Sequence, residues 1–543
     1  MIQYENASIG MVLRRAAEKW ADKTAVASAD QRVSFFELYQ KSLRLASGLS
    51  KIGVGKGDSV ATLFGTAMEW LYVKYALHII GAQIVPLNVN FRAKEISFIL
   101  KQADVKTLIM NDKLKSTDYL SILTEIDPEI FSSGSKEIKS NKFPFLQNIV
   151  CYSPEKYKHP FCHDYSNMIE EEVDFDEEEM TKLLERTKPD DIANVLFTSG
   201  STAFPKGAMH THKSLLGIGD YLLGQTFQLE PTHNLLCYFP FYHIAGCVYF
   251  ALGALIHGCF LYVNEFIPEE ILSIISKEKI NLYAGFEAHF NSLLACNNFK
   301  EYDLSSIKFI LLATGPEWYD KCRSIFPKVE LIAHHYGFSE GTGVSMPPDE
   351  QRYEIRKFTN GKPWPGISIK VVDPATGIDL APGQPGEICL KGWSRFQGYY
   401  KNVEETAKAI DSEEYFHSGD YGWLDNEGNL FYRGRIKTMI KTGGENVSER
   451  EVEIFLEAIP GVKSVQVVGL PDEKWGEAVT AIIEAEAGTK LNKDQVAEFC
   501  KDKIAGFKIP KRVLFIDGQD WPLLGAGKID KRKLKEWAAK KTL

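Results

Sequence analysis

Cysteine is scarce and unpatterned, with nine in 543 residues, an odd count and no Cys-x-x-Cys pair. A disulfide framework or a cysteine-ligated zinc module is thereby excluded as the organising principle, and reduced thiols in a cytoplasmic compartment are expected. Positive charge is not in surplus either: 63 Lys and Arg against 72 Asp and Glu leave a formal net charge of −9. That disfavours nucleic acid as a partner. The first eleven residues lack the basic-then-apolar order of a secretory leader. Internal repeats and low-complexity linkers are missing. Long apolar runs are rare, and only residues 244–263 have the length of a membrane span. Gly246, Gly253 and Gly258 interrupt that run and no basic flank accompanies it. It reads as a buried helix followed by a core strand at 261–263, so no transmembrane segment is expected, which leaves room for transient membrane contact.

What is present is ordinary for a soluble enzyme, with 44% hydrophobic and 25% charged residues. The length exceeds what one core serves, so two or more domains are expected. Amphipathic patterning predicts a helix over 34–52, with Phe36, Leu38, Leu43, Leu45 and Leu49 among its apolar positions. A strand over 59–64, a helix over 70–80 and a strand over 83–87 follow. Further strands recur at 106–110, 148–152, 192–197, 234–238, 281–284, 308–313 and 330–334, with helical patterns between them. This alternation predicts an α/β fold of doubly wound parallel sheets. The acidic run 170–179 reads as a solvated loop or helix start. Beyond Gly361, short strands at 367–372 and 386–390 suggest a compact β region. After Arg435 the pattern changes to a small α+β unit: a capping box at Ser448 opening a helix to 458, strands at 462–468 and 479–486, a helix at 493–503 and a strand at 512–516. The expected domains are 1–435 and a mobile 436–543.

The chemistry centres on Leu196-Phe197-Thr198-Ser199-Gly200-Ser201-Thr202-Ala203-Phe204-Pro205-Lys206-Gly207. Glycine lets successive N–H groups face one anion, hydroxyls add donors, and lysine adds a charge. Pro205 rules out the common P-loop pattern. On its own, a surface turn reads this stretch as well as a polyphosphate cradle does. The wording resembles the phosphate loop of the adenylate-forming superfamily, which contains acyl-CoA synthetases, aryl-CoA ligases, peptide-synthetase adenylation domains and beetle luciferases. Ala203 replaces a usual glycine.

The resemblance extends along the chain. Tyr336-Gly337-Phe338-Ser339-Glu340 resembles the family's Tyr-Gly-x-Thr/Ser-Glu motif. It implies that Tyr336 stacks on adenine, Ser339 contacts the α-phosphate, and Glu340, together with Thr202, holds Mg²⁺. Hard oxygen ligands suit a metal carrying phosphates. His334 stands where Asn or Gln is usual near the adenine amine, and His335 belongs to the same nucleotide side. Thr314, Gly315, Pro316 and Glu317 resemble the segment between adenine and the acyl group. Asp420, in His417-Ser418-Gly419-Asp420, and Arg435 match the two ribose contacts. Lys437 stands at the hinge position. Lys441, Gly443 and Gly444 would flank the phosphopantetheine arm of CoA. Lys528, in Gly527-Lys528-Ile529-Asp530, matches the lysine that completes the adenylation site, although Leu523 and Leu524 replace its usual upstream neighbours.

The implied reaction is ATP-dependent carboxylate activation. A carboxylate attacks the α-phosphorus, giving acyl-AMP and pyrophosphate, with Lys206, Lys528 and Mg²⁺ stabilising charge. The small domain then turns about Lys437 and the CoA thiolate displaces AMP. The acid pocket is expected at Phe241, His243, Phe286, Thr314 and Gly337. No aspartate occupies 241–245, which disfavours amino acids, and Gly337 stands where acetate-specific relatives close the pocket with Trp. A medium- or long-chain fatty acid, or a similarly apolar acid, is therefore expected. The alternatives are an aryl-CoA ligase of cinnamate or benzoate type, an enzyme loading an acyl carrier protein, and a luciferase-like oxygenase. A monomer and a homodimer are equally compatible with the sequence.

Overall fold

The computed structural model describes residues 6–131, 135–155, 159–171, 177–198, 205–436, 439–442, 445–447, 449–472, 474–501, 503–504, 506–523 and 529–542. Two seven-stranded sheets form the large part. In the first, the strands run in the order Leu331–His334, Phe309–Leu312, Leu282–Gly285, Asn234–Cys237, Phe260–Val263, Thr24–Ala27 and Arg32–Ser34. All neighbours are parallel except the last pair. The second runs Lys206–Thr211, Ile192–Thr198, Gln83–Pro86, Ser59–Leu63, Thr107–Asn111, Asn148–Tyr152 and His163–Asp164, parallel but for its first pair. Parallel strands buried on both faces explain the near-continuous apolar wording of 282–285, 309–312 and 331–334.

The helix Phe35–Lys51 forms where its periodicity predicts, opened by a Ser34–Glu37 capping box. Phe36 is half exposed rather than core, and its neighbour Phe35 is the buried ring of that turn. The apolar run 244–263 breaks at one of its three glycines, because helical backbone continues through Gly246 and Gly253 and ends only at Gly258. A π-helical turn, Ala245–Phe250, passes into Ala251–His257, and Gly258 ends it at φ +65 before the strand Phe260–Val263. Among the described residues no helix is long and apolar enough to cross a membrane. All nine cysteines are free and buried.

The β region is a four-stranded antiparallel sheet, Ile367–Val372, Gly386–Gly392, Phe416–Leu424 and Leu430–Arg435. The C-terminal unit has its own sheet, with Val462–Asp472 pairing Gly476–Ala485 and Arg512–Phe515 adding in parallel. It also has its own apolar core, including Ile440, Val452, Leu456, Val467 and Ile483. Its helices Glu449–Glu457 and Lys493–Cys500 are those expected, and Ser448 lies outside the described residues. The closing helix, Lys531–Thr542, has no counterpart in the sequence expectations, because only Leu534 and Ala538 are buried on its lysine-rich surface.

Candidate active site

Three parallel strands, 282–285, 309–312 and 331–334, lie side by side, and the carboxyl ends of such strands are the usual ligand position. Thr314 to Glu317 follow one strand and His335 to Glu340 follow another. The short strand Tyr336–Phe338 turns back through Gly341–Ser345 as an antiparallel pair.

Tyr336, Asp420 and Arg435 converge there. Tyr336 donates its hydroxyl to Asp420 Oδ2 at 3.2 Å, and Arg435 Nε stands 2.7 Å from Oδ1. Arg435 and Asp420 are cross-strand partners, and Arg435 also donates to Ser418 O at 2.9 Å. Gly419 holds φ +69, which turns the backbone before Asp420. Asp420 is 3% exposed, and burial raises its carboxyl to about 6 against the pull of Arg435. Its Oδ1 is buried without a hydrogen-bond donor, as is Glu317 Oε2. An acceptor left open in this way fits a sugar hydroxyl.

Glu340 and Lys206 are linked through residues not anticipated from the sequence. Tyr399 donates to Glu340 Oε1 at 2.9 Å, and Lys206 Nζ lies 5.2 Å from the Tyr399 ring centre. Lys206 is also ion-paired with Glu405. Ile192–Thr198 and Lys206–Thr211 form an antiparallel hairpin, so Lys206 is anchored in a strand opposite Thr198. His210 on that strand faces Ser339, with Nε2 2.7 Å from its carbonyl. The side chain of Thr198 and all of Ser199, Gly200, Ser201 and Thr202 lie outside the described residues.

His243 is exposed and electrostatically coupled to His335, whose imidazolium form is disfavoured first by burial and then by His243, to about 4. His335 packs edge-on against Tyr249 at 5.1 Å. Phe286 is exposed and joins an aromatic group with Phe239 and His289. Phe241 is instead a core residue, 1% exposed and stacked 4.9 Å from Trp70, rather than an exposed wall. Gly337 differs from expectation. A Cβ there would stand 2.8 Å from His335 Cε1 and 2.9 Å from Thr342, so the missing side chain is close packing, not open volume.

Glu317 meets the small domain. Arg450, on the helix Glu449–Glu457, is ion-paired with Glu317, with Glu457 at 3.0 Å and Glu453 at 3.4 Å. Glu287, Glu317 and Glu457 gather within 4.8 Å of one another, and burial raises the carboxyls of Glu287 and Glu457. Gly315 allows this approach, because a Cβ there would overlap Glu317 and Arg450. Lys437, Gly443, Gly444 and Lys528 lie outside the described residues, as does the side chain of Lys441.

The sequence profile of the AMP-binding enzyme family matches residues 13–400, and that of the AMP-binding enzyme C-terminal domain matches 451–528. The chain belongs to the AMP-binding enzyme family. It is 33% identical over 543 residues to YngI of Bacillus subtilis (strain 168), whose name assigns it provisionally to the acyl-CoA synthetases; the match covers 99% of this chain and 98% of that protein. It is 29% identical to the mitochondrial medium-chain acyl-CoA ligase ACSF2 of Bos taurus, covering 98% and 88%. The fold matches the anthranilate CoA ligase AuaEII in complex with anthranoyl-AMP, with TM-score 0.84, 22% identity and 99% of both chains covered. ATP-bound MatB from Rhodopseudomonas palustris matches with TM-score 0.81, 24% identity, and 97% and 98% coverage.

Proposed function

We propose that this AMP-forming acid–CoA ligase activates a medium- or long-chain fatty acid or a similarly apolar acid, with the residue roles that follow. The observation that carries the reading is the convergence of Tyr336, Asp420 and Arg435, which leaves one buried carboxylate oxygen without a donor beside an aromatic ring. Asp420 accepts the ribose hydroxyls, Arg435 holds that carboxylate in place, and Tyr336 borders the adenine. Glu340, fixed by Tyr399, would hold Mg²⁺ together with Thr202. Bound there, the ion neutralises phosphate charge. Lys206 and Lys528 stabilise charge developing around the α-phosphorus as the substrate carboxylate attacks in line and pyrophosphate leaves.

The acid enters beside His243 and His335, the latter held neutral by burial, and its tail runs along the aromatic surface of Phe239 and Phe286. An apolar tail suits that surface, and the medium-chain name of the Bos taurus relative supports the length. The small domain, 436–543, alternates about Lys437. In its second orientation Lys441, Gly443 and Gly444 admit the CoA arm, whose thiolate displaces AMP.

AMP release from Mg-ATP across a panel of carboxylic acids, with and without CoA, tests the reading. CoA-dependent release peaking at medium- or long-chain acids is expected. A peak at aromatic acids would move the substrate to the aryl class. Exchange without CoA stimulation would move the acceptor to a carrier protein.

A further inference from the structure

Behind the turn that carries Asp420 lies a second cluster of ligand-type side chains: Glu387, Cys389 and His417. Cys389 and His417 are direct partners across neighbouring antiparallel strands. Glu387, two residues before Cys389, shares its face through the two-residue period of the strand. One ligand atom from each lies within 4.8 Å of the others. His417 Nδ1 is 2.9 Å from Glu387 Oε2 and 3.5 Å from Cys389 Sγ. Tetrahedral zinc, with Zn–S near 2.3 Å and Zn–N near 2.05 Å, sets an N···S edge of about 3.6 Å. Imidazole and thiol therefore already stand at ligation spacing, and the carboxylate, 2.9 Å from the imidazole and within 4.8 Å of the thiol, completes the set by a side-chain adjustment.

The groups around the cluster are braced as metal ligands are. Asp411 Oδ2 is 3.5 Å from His417 Nε2, the ring nitrogen that does not face the cysteine. A carboxylate behind a histidine fixes the tautomer that leaves the other nitrogen free to ligate. Asp411 is itself held by N–H groups of Glu413 and Tyr415 at 2.9 and 2.8 Å, and Lys370 Nζ balances its charge at 3.5 Å. Glu387 Oε1 accepts the Gly419 N–H at 2.9 Å, which fixes its second oxygen.

The geometry points to a binding site for a zinc-class divalent cation formed by Cys389, His417 and Glu387. Three ligand bonds form, the thiol proton leaves to solvent, and the imidazole proton moves from Nδ1 to Nε2, where Asp411 accepts it. The fourth position is taken by water, which reaches the cluster past His417 and Glu387, both partly exposed. Mixed sulfur, nitrogen and oxygen ligands select zinc over magnesium, so this site is distinct from the Mg²⁺ that accompanies ATP. Its cation ties the two strands together next to Ser418-Gly419-Asp420 and so braces the ribose-facing carboxylate.

The test is a Co²⁺ titration of the full-length protein, stripped with chelator and free of nucleotide, followed by the near-ultraviolet thiolate-to-cobalt charge-transfer band. The band should saturate at a single equivalent and be abolished by added Zn²⁺. Cys389→Ser should remove it, Cys500→Ser should keep it, and His417→Gln should weaken binding at least about tenfold. Absence of the band in the unmodified protein, or its persistence in Cys389→Ser, would overturn the site and leave the Glu387–His417 contact as a plain hydrogen bond. The reading on unmodified protein stands whether or not a variant folds.

Discussion

Arg435 Nε lies 2.7 Å from Asp420 Oδ1, yet that oxygen, buried on a carboxylate that Tyr336 also contacts, receives no hydrogen bond. The ion pair holds the carboxylate in place while leaving its acceptor capacity to a ligand.

That pairing sets a pH dependence. Burial raises the Asp420 carboxyl to about 6. Below that value it is protonated and a poorer acceptor for ribose, so KM for ATP should fall as pH rises through about 6 and then level off. Asp420→Asn should flatten the profile. Stability runs the other way. Between the ordinary aspartate value of about 3.9 and about 6 the folded chain keeps a proton that the unfolded chain has lost. The Asp420 contribution to stability therefore declines as pH rises across that window. A KM for ATP that is constant across it would contradict the assignment.

Tyr399 holds Glu340 by a charge-assisted hydrogen bond of 2.9 Å. Tyr399→Phe keeps the ring that Lys206 faces and removes only the donor. Bonds of this kind contribute about 1.5–3 kcal/mol. The Mg²⁺ concentration for half-maximal activity should rise roughly tenfold or more, measured at saturating ATP, with little change in melting temperature.

Arg450 connects the small domain to the segment that carries Glu317 and stands among three carboxylates. Arg450→Ala leaves Glu287, Glu317 and Glu457 facing one another and loosens the orientation in which the helix after the glycine pair meets the nucleotide site. Acyl transfer from supplied acyl-AMP to CoA should slow about tenfold, or about 1.4 kcal/mol, while pyrophosphate exchange changes less. Equal effects on both half-reactions would mean that Arg450 serves folding alone.

At Gly337 a methyl group would press on His335 and Thr342. Gly337→Ala should cost about 1–3 kcal/mol by overpacking, read as a lower unfolding midpoint in urea. Gly337→Trp should lower the midpoint further, and a midpoint equal to that of the unmodified protein would contradict the close packing.

The sheets were legible because buried parallel strands are written as short apolar runs, and 309–312 and 331–334 appear within one residue of the expected ends. The residues after those strands were legible through their motifs. The hairpin at Lys206 was not, because glycine, proline and hydroxyl residues mark a reversal without saying whether a strand or a helix follows. Tyr399 and Glu405 were missed for a different reason. Lys206 and Glu405 are 199 residues apart, and nothing local in Gly398-Tyr399-Tyr400 signals a partner that the fold supplies. Arg450 looked like one charge among several at a helix start. Its role depends on a second domain that periodicity cannot orient.

The central claim is that one small domain serves two half-reactions with different residues. The most direct measurement compares Lys528→Ala with the unmodified protein in both: acid-dependent ATP–pyrophosphate exchange, and CoA-dependent consumption of supplied acyl-AMP. The account predicts that exchange is lost while acyl transfer persists. Equal loss of both would contradict it.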